Sequence, residues 1–169
     1  MKNVLKLTLA VVMMMGASSL YAQKFGRINT SDVIAAMPEA TQAQTNLDAF
    51  VKDLSDTFET MQVELNTKVT DLQKNEATMT ESMKQLKYKE AQDLSARMAE
   101  YQRNAQQEIQ LKQAELMRPV QEKAMAAINK VAKEGGYLAI FDTSIPSMAY
   151  FDEANLTDIL PLVKAELGI

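Results

Sequence analysis

The chain has 169 residues, room for one domain, and 47% of them are hydrophobic. It contains no His and no Cys, which excludes an imidazole base, a thiolate nucleophile, a disulfide framework and an ordinary zinc site. Its formal charge of −4 argues against nucleic-acid binding, which needs clustered Lys and Arg to displace counterions.

In chain order, Lys2 and Lys6 form a positive leader, and Leu7 to Ala17 is an apolar run ending in the small residues Gly16-Ala-Ser-Ser19. That pattern predicts a secretory signal peptide over residues 1–22, cut after Ala22 or after Ser19. With no Cys to carry a lipid, the mature chain is expected to be a soluble exported protein. Losing Lys2 and Lys6 takes its formal charge from −4 to −6.

Lys24-Phe-Gly-Arg-Ile-Asn29 reads as a short strand, Thr30-Ser-Asp32 as caps, and Val33 to Met37 as a turn or two of helix. Pro38 suits the first position of the next helix. From Glu39 to Arg118 there is then no Gly and no Pro over eighty residues. Leu47, Phe50, Leu54, Phe58, Met61, Leu65, Val69 and Leu72 recur at steps of three and four. The mean step is about 3.6, the helical period, and a 3-4-4 unit needs almost no supercoil.

A second stripe follows through Leu94, Met98, Tyr101, Ala105, Ile109, Leu116, Val120, Ala124, Ala127 and Val131, with Lys112 weakening it. Between the stripes the pattern loosens, and Thr78-x-x-Glu81 reads as a capping box. The expected element is an antiparallel helical hairpin turning near residues 75–82. The alternative is one unbroken helix in a parallel coiled coil. Pro119 falls inside the second stripe, so it predicts a kink rather than an end.

Charge is spread unevenly along this region. Glu39 to Asp71 carries a net −5, Lys74 to Lys89 a net +2, and Glu90 to Glu134 balances.

Gly135-Gly136 predicts the helix stop, and Tyr137 to Phe141 a second strand. Met148 to Phe151 reads as a third strand, after which Thr157 is expected to cap a last helix over Asp158–Leu167. The fold class is thus mainly α, of α+β type. A long helical hairpin (residues 39–134) is inserted in a small β-containing base, residues 23–38 and 135–169. A base of about fifty residues with open strand edges is marginal alone and asks for an oligomer.

The catalytic inventory is poor. No Gly-rich phosphate loop is present, and Ser and Asp lack a base, so no enzyme activity, cofactor or metal is expected. What remains is surface. Met79 and Met83, adaptable side chains beside Lys84 and Lys87 at the hairpin tip, are the candidate client-binding residues.

Several pieces taken together resemble the Skp/OmpH family of periplasmic chaperones. They are Phe25-Gly-Arg-Ile-Asn29, Met37-Pro-Glu39, Gln113-Ala-Glu-Leu-Met-Arg-Pro-Val120, Ala132-Lys-Glu-Gly-Gly-Tyr137, Phe141-Asp142 and Leu156-Thr-Asp158, and they span the mature chain. The resemblance implies a single Skp-like domain over residues 23–169 that forms a trimer, with three helical tentacles enclosing a cavity. It also implies ATP-independent holding of unfolded outer-membrane proteins in the periplasm. Phe25, Ile28, Leu138, Ile140 and Tyr150 would then belong to the base and its subunit contacts. The best-known members are strongly basic, whereas here only the tip leans positive, which leaves peripheral membrane contact open. The competing class is a structural hairpin adaptor of the cell envelope.

Overall fold

The structure, a computed structural model, describes residues 24–145, 150–152 and 155–169. The chain divides into two compact units. One combines the segment up to Val33 with Ala124–Ile169, and the other is Ile34–Lys123.

In the first unit, β1 (Lys24–Ile28) lies at the centre of a three-stranded parallel sheet, with β2 (Tyr137–Asp142) on one side and β3 (Thr157–Asp158) on the other. Parallel neighbours cannot be joined by a tight hairpin, so a long crossover must separate them in sequence. Here that crossover is the whole helical insertion between β1 and β2. Phe25 pairs with Ala139, Gly26 with Ile140 and Ile28 with Asp142, and the register shifts between Lys24 and Phe25.

The third strand differs from the expectation. Tyr150 and Phe151 lie in no strand, and Met148 falls outside the described residues. The strand is instead Thr157–Asp158, which pairs with Gly26 and Arg27. Thr157 is therefore a strand residue and not a helix cap. The last helix, α4 (Leu160–Leu167), starts two residues later than expected, where the Asp158 carboxylate accepts the Leu160 amide at 3.0 Å. Tertiary pairing to β1 overrides the local capping signal. Gly168 ends this helix at φ 75°, a left-handed conformation that suits glycine.

Helix α1 (Thr30–Ala36) is capped by Asn29, whose carboxamide oxygen accepts the Ser31 and Asp32 amides, and not by the Thr30-Ser-Asp32 run itself. Thr30 turns instead to Asp142 at the end of β2, donating from its amide and, at 2.6 Å, from its hydroxyl. The Ser144 amide adds a third bond at 2.9 Å. Burial pushes the Asp142 pKa up, but these donors together outweigh it and hold the carboxyl below the usual aspartate value of 3.8. Asp142→Ala should therefore destabilise the fold by about 1.5–3 kcal/mol, the worth of hydrogen bonds to a charged group. A depressed carboxyl stabilises above its unfolded pKa and loses that contribution as pH falls through the folded value. The gap between wild type and variant in denaturant melts should then be full at neutral pH and shrink below about pH 4.

The second unit contains α2 (Pro38–Asn75), a 3-10 turn over Glu76–Thr78, and most of α3 (Glu81–Glu134). The helices are antiparallel, since Glu39 pairs with Lys123, the Leu54 carbonyl with Tyr101, and Lys68 with Glu90. This excludes one unbroken helix. The break falls where the stripes predicted it, but the cap does not. Thr80, not Thr78, accepts the Met83 amide at 3.3 Å, while the Thr78 hydroxyl donates to the Asn75 carbonyl. Thr80→Ala should cost about 1 kcal/mol locally, read as faster hydrogen exchange at the first amides of α3. An equal effect from Thr78→Ala would contradict this cap.

Helix α3 passes through Pro119 without ending, and Gly135-Gly136 terminates it, Gly136 taking φ 65°. A methyl on Gly135 would meet the Tyr137 ring at 2.4 Å and the Val131 carbonyl oxygen at 2.9 Å, so a side chain there would force one of them to shift.

Candidate functional site

The two predicted stripes meet along the seam of the hairpin, but they fill it unevenly. Ala43, Leu47 and Val120 are buried toward one end, and Leu72, Leu94 and Met98 toward the tip. Between them, none of residues 48–71 or 99–119 is buried. Phe50, Leu54, Phe58, Met61 and Leu65 on α2 are half-buried, as are Tyr101, Ala105, Ile109 and Leu116 on α3. Two helices share only one seam, and a small Ala105 cannot fill it. Lys112 takes an apolar slot but sends its ammonium to Glu115 at 3.1 Å.

Several grooves result, and three bear on the site. The first, about 520 Å³, has Val51, Leu54, Phe58, Tyr101, Ala105 and Ile109 as its apolar lining. The Tyr101 hydroxyl donates to the Leu54 carbonyl at 3.2 Å and ties the helices together at this level. The second, about 300 Å³, lies beside Ala43, Leu116, Pro119 and Val120. Its rim carboxylate, Glu39, is bound by Lys123, which lowers the Glu39 pKa. The third, about 490 Å³, is near the tip, with Glu64, Lys68, Asp71, Met79 and Lys87 around it.

Of the tip residues singled out by sequence, Met79 and Lys87 share that third groove, while Met83 and Lys84 are not part of it. Met83 is 51% exposed. Lys84 pairs with Glu81 at 3.1 Å and Lys87 with Glu90 at 3.0 Å. The Lys87 hydrogen bond, with Lys68 also nearby, lowers the Glu90 pKa. Glu81 is already counted in the tip's net +2, so of these pairs only Lys87 with Glu90 brings in an acid from outside and offsets part of that charge. The mid-hairpin groove went unnoticed there, although one signal existed: Ala105 is a small residue in a stripe of large ones.

In the sheet unit the other candidates divide by burial. Phe25 stacks on Phe141 with ring centroids 6.1 Å apart. Ile28 is buried in this chain's own core, and Ile140 is half-buried beside Gly26. Leu138, 63% exposed, and Tyr150, 83% exposed, are large apolar side chains on the surface. Among the described residues no group of His, Cys, Asp or Glu could hold a metal ion, and no helix is long and apolar enough to cross a membrane.

Residues 24–167 match the family of OmpH-like outer membrane proteins. The chain belongs to the OmpH-like family. A crystal structure from Caulobacter crescentus CB15, assigned as an OmpH-like outer membrane chaperone, is similar in fold with a TM-score of 0.74. The alignment covers 86% of this chain and 83% of that one at 12% identity. No curated protein matches the sequence significantly. The OmpH-like fold accounts for the long hairpin and small parallel sheet together.

Proposed function

We propose that this OmpH-like protein is an ATP-independent holdase of the periplasm, which keeps unfolded outer-membrane proteins in a cavity between the helical arms of a homo-trimer. The observation that carries the reading is the half-buried seam of the hairpin. Holding an unfolded chain requires broad apolar surface that binds weakly at many points, and a two-helix hairpin with no buried residue over its middle offers that. Release then needs no energy input, because a tighter acceptor downstream can take the client. The signal peptide read in residues 1–22 supports the compartment, and the Caulobacter protein's assignment as a chaperone supports the activity. Aggregation of a denatured β-barrel protein, diluted into buffer without nucleotide, is the test. Suppression at stoichiometric protein is expected, and unchanged aggregation would overturn the reading.

The trimer rests on the sheet unit. Both outer strands present an edge with no partner among the described residues, and Leu138 and Tyr150 lie open to solvent. Ile140→Asp places a charge beside that edge and should dissociate the oligomer, at a cost of several kcal/mol if it becomes buried unpaired. Light scattering at micromolar protein reads this, and a monomeric wild type would refute it.

A further inference from the structure

We propose that the mid-hairpin groove selects unfolded segments in which an aromatic or large aliphatic side chain lies close in sequence to a lysine or arginine. This deepens the holding function proposed above and rests on it. The floor of the groove is apolar and its volume of about 520 Å³ falls within the range of small-ligand pockets, roughly 300–1,000 Å³. It is therefore roomy enough for a large side chain with its neighbouring backbone.

The rim supplies Ser55, Gln62, Gln102 and Gln106. Each carboxamide offers both donors and acceptors, so the rim can satisfy the unpaired N–H and C=O groups of an extended chain in either direction. Glu59 is the one charged residue of the lining; among the described residues it makes no direct ion pair or side-chain hydrogen bond, although Lys52 lies close enough to act on it through space. Its neighbour Asp56 is already held by Lys52, and no cation lines the groove.

The other two grooves lack this combination. Beside Pro119 the carboxylate of Glu39 is neutralised by Lys123. Near the tip two lysines face two acids, which gives no preference of sign. Of these three, the mid-hairpin groove joins an apolar floor to an exposed carboxylate with no direct ion pair among the described residues, on a helix whose residues from Glu39 to Asp71 carry a net −5. An arginine or lysine suits it doubly, because its aliphatic stem can lie on the floor while its charged head meets Glu59.

The test measures fluorescence-anisotropy binding of three short unstructured peptides to the full oligomer: tryptophan with arginine, tryptophan with glutamate, and serine with arginine. The first should bind tightest. Glu59→Lys, at an exposed helix position, should weaken it about five- to tenfold, the effect of reversing one exposed charge pair, and should narrow its lead over the glutamate peptide. Ala105→Leu fills the groove with a good helix former and should weaken both tryptophan peptides. Circular dichroism of the variants should be unchanged. Equal binding of the arginine and glutamate peptides, or indifference to both substitutions, would overturn the proposal. Aggregation protection by the wild type is read in parallel. If protection persists while the peptides fail to discriminate, the groove is wrong and the holding function stands. If protection is absent, the holding function itself fails.

Discussion

Deleting residues 55–65 from α2 together with 91–101 from α3 should abolish protection of an unfolded β-barrel client while leaving a folded oligomer. Eleven residues are close to three helical turns, so each deletion rejoins its helix with the apolar face in phase. The two segments face each other, since Leu54 meets Tyr101 just before one end and Lys68 meets Glu90 just beyond the other. Each helix shortens by about 16 Å. What is removed is half-buried Phe58, Met61, Leu65 and Tyr101, which the holding model uses, together with the buried Leu94 and Met98 that face them. By contrast, single truncations along the seam should each cost less than about 1 kcal/mol of client binding, because no residue of a broad weak surface is a hot spot. Helix content per residue by circular dichroism, and mass by light scattering, establish that the shortened protein is folded and assembled. Full protection by that protein would refute enclosure between arms and favour an envelope adaptor, which would instead co-purify with one fixed partner.

The second large effect is expected at Ile159, which no strand or helix contains. Its side chain is fully buried and its amide donates to the Arg27 carbonyl at 3.0 Å. It packs so closely on β1 that a methyl added at Gly26 would sit 3.2 Å from its Cγ2. Val33 and Val163 are equally buried in the same unit. Ile159→Ala should cost about 2–5 kcal/mol through lost transfer energy and the cavity left behind. In a sheet unit this small, such a loss is a large share of the stability that folded domains possess. Leu162, half-exposed on α4, is the control, and its change to Ala should fall within about 0.5 kcal/mol of wild type. Denaturant melts of the two variants decide the matter, and similar midpoints would mean that Ile159 is not the keystone its burial indicates.

Ile159 also marks the limit of reading the chain without its fold. The hairpin was legible because its cause is local. Eighty residues free of Gly and Pro, with Leu47 to Leu72 at helical spacing, can form little else, and the stops at Pro38 and Gly135-Gly136 follow from backbone chemistry. Strands β1 and β2 were legible from local pattern too, β1 by the imperfect alternation of Phe25 and Ile28 and β2 as an apolar run after Gly135-Gly136. The third strand was not, because Thr157-Asp158 has no strand signal of its own. It is extended because the central strand offers Gly26 and Arg27 as partners, and that pairing joins residues more than a hundred positions apart. The cap at Thr80 rather than Thr78 likewise depended on where the 3-10 turn spent its hydrogen bonds.

The charges divide in the same way. Counting along the chain established an acidic outgoing helix and a tip of positive formal charge. Only the folded hairpin decided which charges are spent, pairing Lys84, Lys87 and Lys123 with acids and leaving Glu59 beside an open apolar groove. Sequence by itself determined the period, the breaks and the absence of His and Cys, since each is a property of neighbouring residues or of composition. Tertiary structure alone decided the parallel register, the core role of Ile159 and the underfilled seam. Those depend on which distant side chains meet and how much space they leave between them.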